Sequence, residues 1–255
     1  MTITTVTATA TVDTSLWLRR FHPKPDAPVR LVCLPHAGGS ASYYHPVSRA
    51  LTGVEVLAVQ YPGRQDRRAE PCIDTVHGLA TRVAEQVATL ADRPIALFGH
   101  SMGASVAFEV ARLLEEDGIV LKHLFASGRR APSRHRDEHI HQLGDNGLIA
   151  EMRRLNGTEG KLLDDDELIR MIIGAIRNDY KAAETYVYRP GPLLSCPITV
   201  LTGDSDPKVT VDEADSWRTH TTGPYAMKVY RGGHFYLNNH QTDILETIVD
   251  RLTSG

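Results

Sequence analysis

Pro94-Ile-Ala-Leu-Phe-Gly99-His100-Ser101-Met102-Gly103-Ala-Ser-Val-Ala-Phe108 sets the architecture of the chain. Residues 95–98 form a short apolar run of the buried-strand type. The residues after Gly103 fall at helical spacing, so Gly-x-Ser-x-Gly sits at a strand–turn–helix junction. Such a turn forces Ser101 into a strained backbone conformation. It also favours hydrogen as the side chain at 99 and 103, where a Cβ would crowd the neighbouring elements. The outcome is a hydroxyl raised above the sheet edge, beside a helix N-terminus and the Met102 N–H. The plainer alternative is a glycine-rich turn carrying an incidental serine, so the rest of the chain has to supply partners.

Outward from this junction, strands and helices alternate. Val29–Leu34 and Val54–Val59 read as near-continuous apolar strands of the parallel type, with another strand expected at 17–21 and a short helix at 43–51. Val76, Leu79, Ala80, Val83, Ala84, Val87 and Leu90 follow amphipathic spacing. The helix after Ser101 is expected to stop at Gly118. Strands follow at His123–Ser127, 198–201 and 227–230, and a last helix carries Ile244, Leu245, Ile248, Val249 and Leu252. This pattern predicts an α/β fold with a mostly parallel central sheet flanked by helices.

One interval breaks the alternation. Leu148, Ile149, Met152 and Leu155 form one helical stripe. Leu168, Met171, Ile172, Ala175 and Ile176 form another, opened by Asp164 with Glu167 three residues later as a capping box. About sixty residues without a strand read as an inserted helical lid rather than a pair of ordinary crossover helices. The expected organisation is a tail at 1–15, a core at 16–128 and 190–255, and a lid at 129–189. Met171, Ile172 and Ile176 are expected to line a substrate pocket.

The 255 residues are 42% apolar, with 28 basic and 31 acidic residues for a net charge of −3. That size suits one full globular domain, and the charge offers no case for nucleic acid or an anionic membrane. The threonine-rich first fifteen residues lack the basic and apolar regions of a signal peptide, and no run is long enough to span a bilayer. Cys33, Cys72 and Cys196 form no paired framework; Cys33 and Cys196 fit core packing and a reducing cytoplasm. Asn156-Gly-Thr158 matches a glycosylation sequon with no meaning in that compartment. A monomer is expected.

An acyl-transfer serine needs a base, an acid to orient it, and donors for an oxyanion, in the chain order serine, acid, histidine. Of His123, His135, His139, His141, His220, His234 and His240, only His234 lies in a glycine-rich loop between a strand and the last helix, Arg231-Gly-Gly-His-Phe235. His220 and His240 fit solvated positions. Leu201-Thr-Gly-Asp-Ser-Asp-Pro207 offers two acids. Asp204 suits capping of the turn, and Asp206, further into the loop, suits orientation of His234. The loop Pro35-His-Ala-Gly-Gly39 supplies the Ala37 N–H as a second oxyanion donor beside Met102. Three loops at three strand ends in the expected order point to catalysis.

With these residues in hand, the chain resembles the α/β-hydrolase fold. More narrowly, it is similar to the type II thioesterases of polyketide synthase and nonribosomal peptide synthetase pathways, and within them it resembles the kind that serves a prodiginine-type pathway. The motifs that carry the resemblance are Leu34-Pro-His-Ala-Gly-Gly39, Val59-Gln-Tyr-Pro-Gly-Arg64, Phe98-Gly-His-Ser-Met-Gly103, Thr202-Gly-Asp-Ser-Asp206 and Gly232-Gly-His-Phe235. The resemblance implies hydrolysis of acyl thioesters from the phosphopantetheine arm of an acyl or peptidyl carrier protein. It makes Ser101 the nucleophile, His234 the base and Asp206 the orienting acid, with Ala37 and Met102 as oxyanion donors and no cofactor or metal. The rival enzymatic expectations are a discrete fatty-acyl carrier-protein thioesterase and a small-ester hydrolase. The non-enzymatic one is a carrier-protein-binding module without turnover. His135-Arg-Asp-Glu-His139 also matches the inverted zinc-protease signature, though its charged surroundings suit an exposed loop.

Overall fold

The computed structural model describes residues 16–155 and 166–253. The chain opens on a two-residue strand, β1 (Leu18–Arg19), followed by β2 (Val29–Leu34), a 3-10 turn at Ala41–Tyr44 and α1 (His45–Ala50). Next come β3 (Val54–Val59), α2 (Val76–Ala88), β4 (Ile95–His100), α3 (Met102–Glu116) and β5 (His123–Ser127). Two helices, α4 (Asp145–Arg154) and α5 (Asp166–Glu184), precede β6 (Ile198–Gly203). The chain closes with α6 (Val211–Asp215), β7 (Tyr225–Tyr230) and α7 (Gln241–Thr253).

The strands form one sheet in the order β1-β3-β2-β4-β5-β6-β7. Every pair is parallel except β1 with β3. The first strand expected at 17–21 therefore shrinks to two residues on an antiparallel edge, and the helix expected at 43–51 divides into a 3-10 turn and α1. The central strands are buried along their whole length, as parallel strands covered on both faces must be. Their side chains alternate between two cores. Val32, Leu34, Leu57 and Leu97 pack against α2 and α3, while Leu31, Cys33, Val56 and Phe98 face α7 and Tyr44. Cys33 and Cys196 lie in these cores, as expected.

From β2 the chain turns to β3 on one side and then crosses to β4 on the other. Loops leaving the C-terminal ends of β2 and β4 therefore diverge and leave a crevice, the place where open α/β sheets bind ligands. Leu34 and Gly99 pair in register there, which puts residues 35–39 beside Ser101. Among the described residues no helix is long and apolar enough to cross a membrane. The expected tail at 1–15, the sequon at 156–158 and the Asp164 cap lie outside the described residues, as do the side chains of Glu167 and Leu168.

Candidate active site

Ser101 has φ 56° and ψ −121°, a left-handed conformation that a non-glycine residue adopts only under constraint. The constraint is visible in its neighbours. A Cβ on Gly99 would stand 2.2 Å from the Gly103 carbonyl oxygen, and one on Gly103 would stand 2.1 Å from that of Leu34. The Ser101 N–H donates to the Ser127 carbonyl at 2.8 Å, anchoring the turn to β5. Met102 begins α3, so its N–H is one of the first-turn donors that have no acceptor within the helix.

The loop after β6 and the loop after β7 meet at glycines. A Cβ on Gly203 would lie 2.3 Å from the Gly232 carbonyl oxygen, and that carbonyl accepts the Ser205 N–H at 3.0 Å. This close approach brings Asp206 and His234 together. His234 Nδ1 lies 2.8 and 3.0 Å from the two carboxylate oxygens of Asp206, and its Nε2 lies 2.9 Å from Ser101 Oγ. A carboxylate can only accept, so the proton sits on Nδ1 and Nε2 accepts from the serine hydroxyl. The Lys208 N–H also donates to Asp206 Oδ1, at 2.8 Å. Asp204 does something else: its Oδ1 accepts the Gly232 N–H at 2.9 Å, capping the turn. This arrangement can move the Ser101 proton to His234 while Asp206 stabilises the imidazolium.

Around His234 the aromatic packing is dense. His100 lies 5.1 Å from it between ring centroids, and Phe235 bridges to His36 at 4.9 Å. Burial pushes His36 down to about 3 and His100 well below the ordinary histidine range. Both rings therefore stay neutral near pH 7 and place no like charge against an imidazolium at 234. His220 departs from expectation. It is 3% exposed, its Nε2 pairs with Ser133 Oγ at 2.9 Å, and burial lowers it to about 4. His240 is half-buried, with Nε2 donating to the Arg231 carbonyl at 2.9 Å.

A cavity of about 60 Å³ opens beside Ser101, His234 and Ala37. Its apolar wall comes from Met152 of α4, from Leu155 at the C-cap of that helix, and from Tyr180 and Ala183 of α5. Met171, Ile172 and Ile176 do not line it. Met171 is 65% exposed, while Ile172 and Ile176 pack with Leu148 and Tyr180 behind the wall. The C-terminal half of α5 crosses the site and the N-terminal half runs past it, which moves the lining one to two turns along the helix.

Charged side chains complete the cavity. Burial raises Glu138, but hydrogen bonds and charge from Lys208 and Arg130 outweigh it and hold the carboxyl down at about 2. Glu184 is engaged by His141 and by the N–H groups of Ile140 and His141. Arg129 donates to Ser105 Oγ and to the Ala183 carbonyl, and burial beside Arg130 lowers it to about 10. The rival zinc-protease match at His135–His139 has no helix to align it: residues 135–139 are irregular, and Glu138 is spent on its two cations. Among the described residues no cluster of three or more His, Cys, Asp or Glu could hold a metal ion.

Residues 29–252 match the family model described as "Thioesterase domain". The chain is 54% identical to thioesterase PikA5 of Streptomyces venezuelae, over 94% of this chain and 87% of that one. Among solved structures, the type II thioesterase BorB from the borrelidin biosynthetic cluster is 51% identical with a TM-score of 0.89, covering 93% of this chain and 98% of that one. The RedJ thioesterase from the prodiginine pathway of Streptomyces coelicolor is 37% identical with a TM-score of 0.83, covering 89% and 87%. The likeness to a prodiginine-pathway enzyme is thus present but weaker than the other two.

Proposed function

The chain belongs to the thioesterase family, and from that premise we propose that it is a type II thioesterase of a polyketide or nonribosomal peptide pathway, clearing acyl groups from carrier-protein phosphopantetheine thiols. The observation that carries the reading is the unbroken chain from Asp206 through His234 to Ser101, with every link at 3.0 Å or less.

In this mechanism His234 Nε2 takes the Ser101 proton as Oγ attacks the thioester carbonyl. The developing oxyanion is met by the N–H groups of Met102 and Ala37, from loops at the ends of the adjacent strands β4 and β2. The tetrahedral intermediate collapses with loss of the carrier thiolate, which receives the proton from His234. Water then repeats the sequence on the acyl-enzyme and releases the free acid. Thioester and serine supply all the chemistry, so the mechanism needs no cofactor. Within the insert at 129–189, α4 and α5 wall the acyl cavity.

Carrier specificity separates this reading from a small-ester hydrolase. Matched acyl groups on a carrier protein, on cysteamine and on nitrophenol give the test. A type II thioesterase turns over the carrier substrate with the highest kcat/KM. Preference for the nitrophenyl ester over the loaded carrier would contradict it.

A further inference from the structure

Asp179 sits on the inward face of α5 with 0% of its surface exposed. Its Oδ2 receives two donors from two other loops: the Gly38 N–H, 141 residues earlier, at 2.8 Å, and the guanidinium of Arg64. Arg64 is buried too, 5.2 Å from the Tyr61 ring, and its Nη1 donates to the Pro62 carbonyl at 2.7 Å. Buried charges are stabilising only when paired and hydrogen-bonded, so removing either partner leaves the other uncompensated.

Gly38 is no arbitrary contact. The Gly39 N–H donates to the His36 carbonyl at 2.9 Å, and Gly38 has φ 79°, which makes residues 36–39 a turn that requires a left-handed third residue. The Gly38 N–H belongs to the central peptide of that turn. In the alternative turn with negative φ at 38, this peptide flips and would present its carbonyl to the carboxylate. Asp179 therefore fixes the orientation of this peptide and the ψ of Ala37, and so anchors to α5 the turn on which the Ala37 N–H stands. Packing acts in the same direction, since a Cβ on Gly38 would come within 2.9 Å of Ile176 Cγ1, one turn before Asp179.

We infer that Asp179 is a positioning residue for the reaction: through Gly38 it holds the Ala37 N–H where the oxyanion forms, and Arg64 holds Asp179. Oxyanion stabilisation is thereby tied to the seating of α5. Two other ties of α5 near this level, Asn178 Nδ2 to the Ile73 carbonyl and Lys181 to Asp74, do not touch the turn. This inference rests on the catalytic reading of Ser101 and Ala37 given above.

The test compares wild type with Asp179→Ala, the double variant Asp179→Leu/Arg64→Met, Lys181→Met and Ser101→Ala, using an acyl thioester and a boronic acid that forms a tetrahedral adduct with the serine. Losing one oxyanion donor costs about 100- to 1000-fold, so a displaced donor should cost about 10- to 100-fold. Asp179→Ala, which removes the acceptor of the Gly38 N–H, should lower kcat by that factor with KM within about twofold, and weaken the boronate in proportion while substrate affinity holds. Lys181→Met should match wild type in both readouts. Should Asp179→Ala fail to fold with Arg64 left uncompensated, the double variant, which removes the acceptor and both buried charges, decides. The inference is overturned if the folded variant without the acceptor keeps wild-type kcat, or loses activity without loss of boronate affinity, while Ser101→Ala is inactive. Wild-type turnover by Ser101→Ala would instead overturn the catalytic reading beneath it.

Discussion

Asp206 presents both carboxylate oxygens to His234 Nδ1, whereas Asp204, two residues earlier on the same loop, turns away to cap the Gly232 N–H. The two acids make a controlled pair. Asp206→Asn keeps the shape but puts an N–H donor where only an acceptor suits, and this favours the wrong tautomer of His234. Its kcat should fall on the order of 10³- to 10⁴-fold. Asp204→Asn still offers an acceptor to Gly232 and should stay within about threefold of wild type. Steady-state kinetics on one acyl thioester checks both.

The backbone at the serine turn leaves no room for a methyl group. Gly103→Ala would drive a Cβ into the Leu34 carbonyl, which belongs to a buried central strand and has little freedom to move. A stability loss of about 3 kcal/mol or more is expected, measured by urea unfolding, and accumulation as insoluble protein is the extreme case. Gly118→Ala is the comparison: φ is +80° but space is open, so about 1 kcal/mol is expected.

Selectivity should follow the residues that reach the cavity. Ala183→Leu adds three carbons to the wall beside Ser101 and should reduce kcat/KM more for longer acyl groups than for acetyl. Met171→Ala, on the solvent side of α5, should leave the acyl profile unchanged. A series of acyl-cysteamine substrates reads both.

Buried neutral histidines make stability depend on pH. His123 and His220 are lowered from the ordinary 6.5 to about 4 by burial, with nearby cationic side chains adding to the shift. Between those values the unfolded chain binds protons that the folded chain does not. Their contribution is therefore complete above about pH 6.5 and is lost as pH falls towards 4. Each steepens the loss by at most roughly 1.4 kcal/mol per pH unit. Urea midpoints from pH 7 to 4 should fall, and His123→Gln should flatten that fall. An unchanged slope in the variant would refute the assignment.

The parts legible in the sequence were those written in local pattern. Strands such as Val29–Leu34 announce themselves by apolar runs, and glycines mark the tight loops of all three site residues, adjacent to His234, two residues on either side of Ser101 and three before Asp206. Chain order then supplied what geometry could not. The cavity wall was harder, because a helical stripe says which face is inward but not where along its length the helix meets the site. The stripe Met171, Ile172 and Ile176 lies on the helix whose later turns, at Tyr180 and Ala183, line the cavity. Asp179 carried a signal that went unused: a carboxylate three residues after Ile176 falls on the apolar face, where a charge needs a partner. Its partner Arg64 stood in plain view at the end of Val59-Gln-Tyr-Pro-Gly-Arg64, but nothing in the sequence pairs residues 115 positions apart. His220 departs from its sequence expectation for a related reason. Its polar sequence neighbours conceal a site packed against Phe108 and Tyr188.

The central claim is best tested by incubating an acyl-loaded carrier protein with wild-type enzyme and with Ser101→Ala, and weighing the intact carrier over time. The account predicts conversion to the free-thiol carrier, with release of the acid, by wild type alone. A carrier that stays loaded with wild-type enzyme, while a small ester is still cleaved, would contradict it.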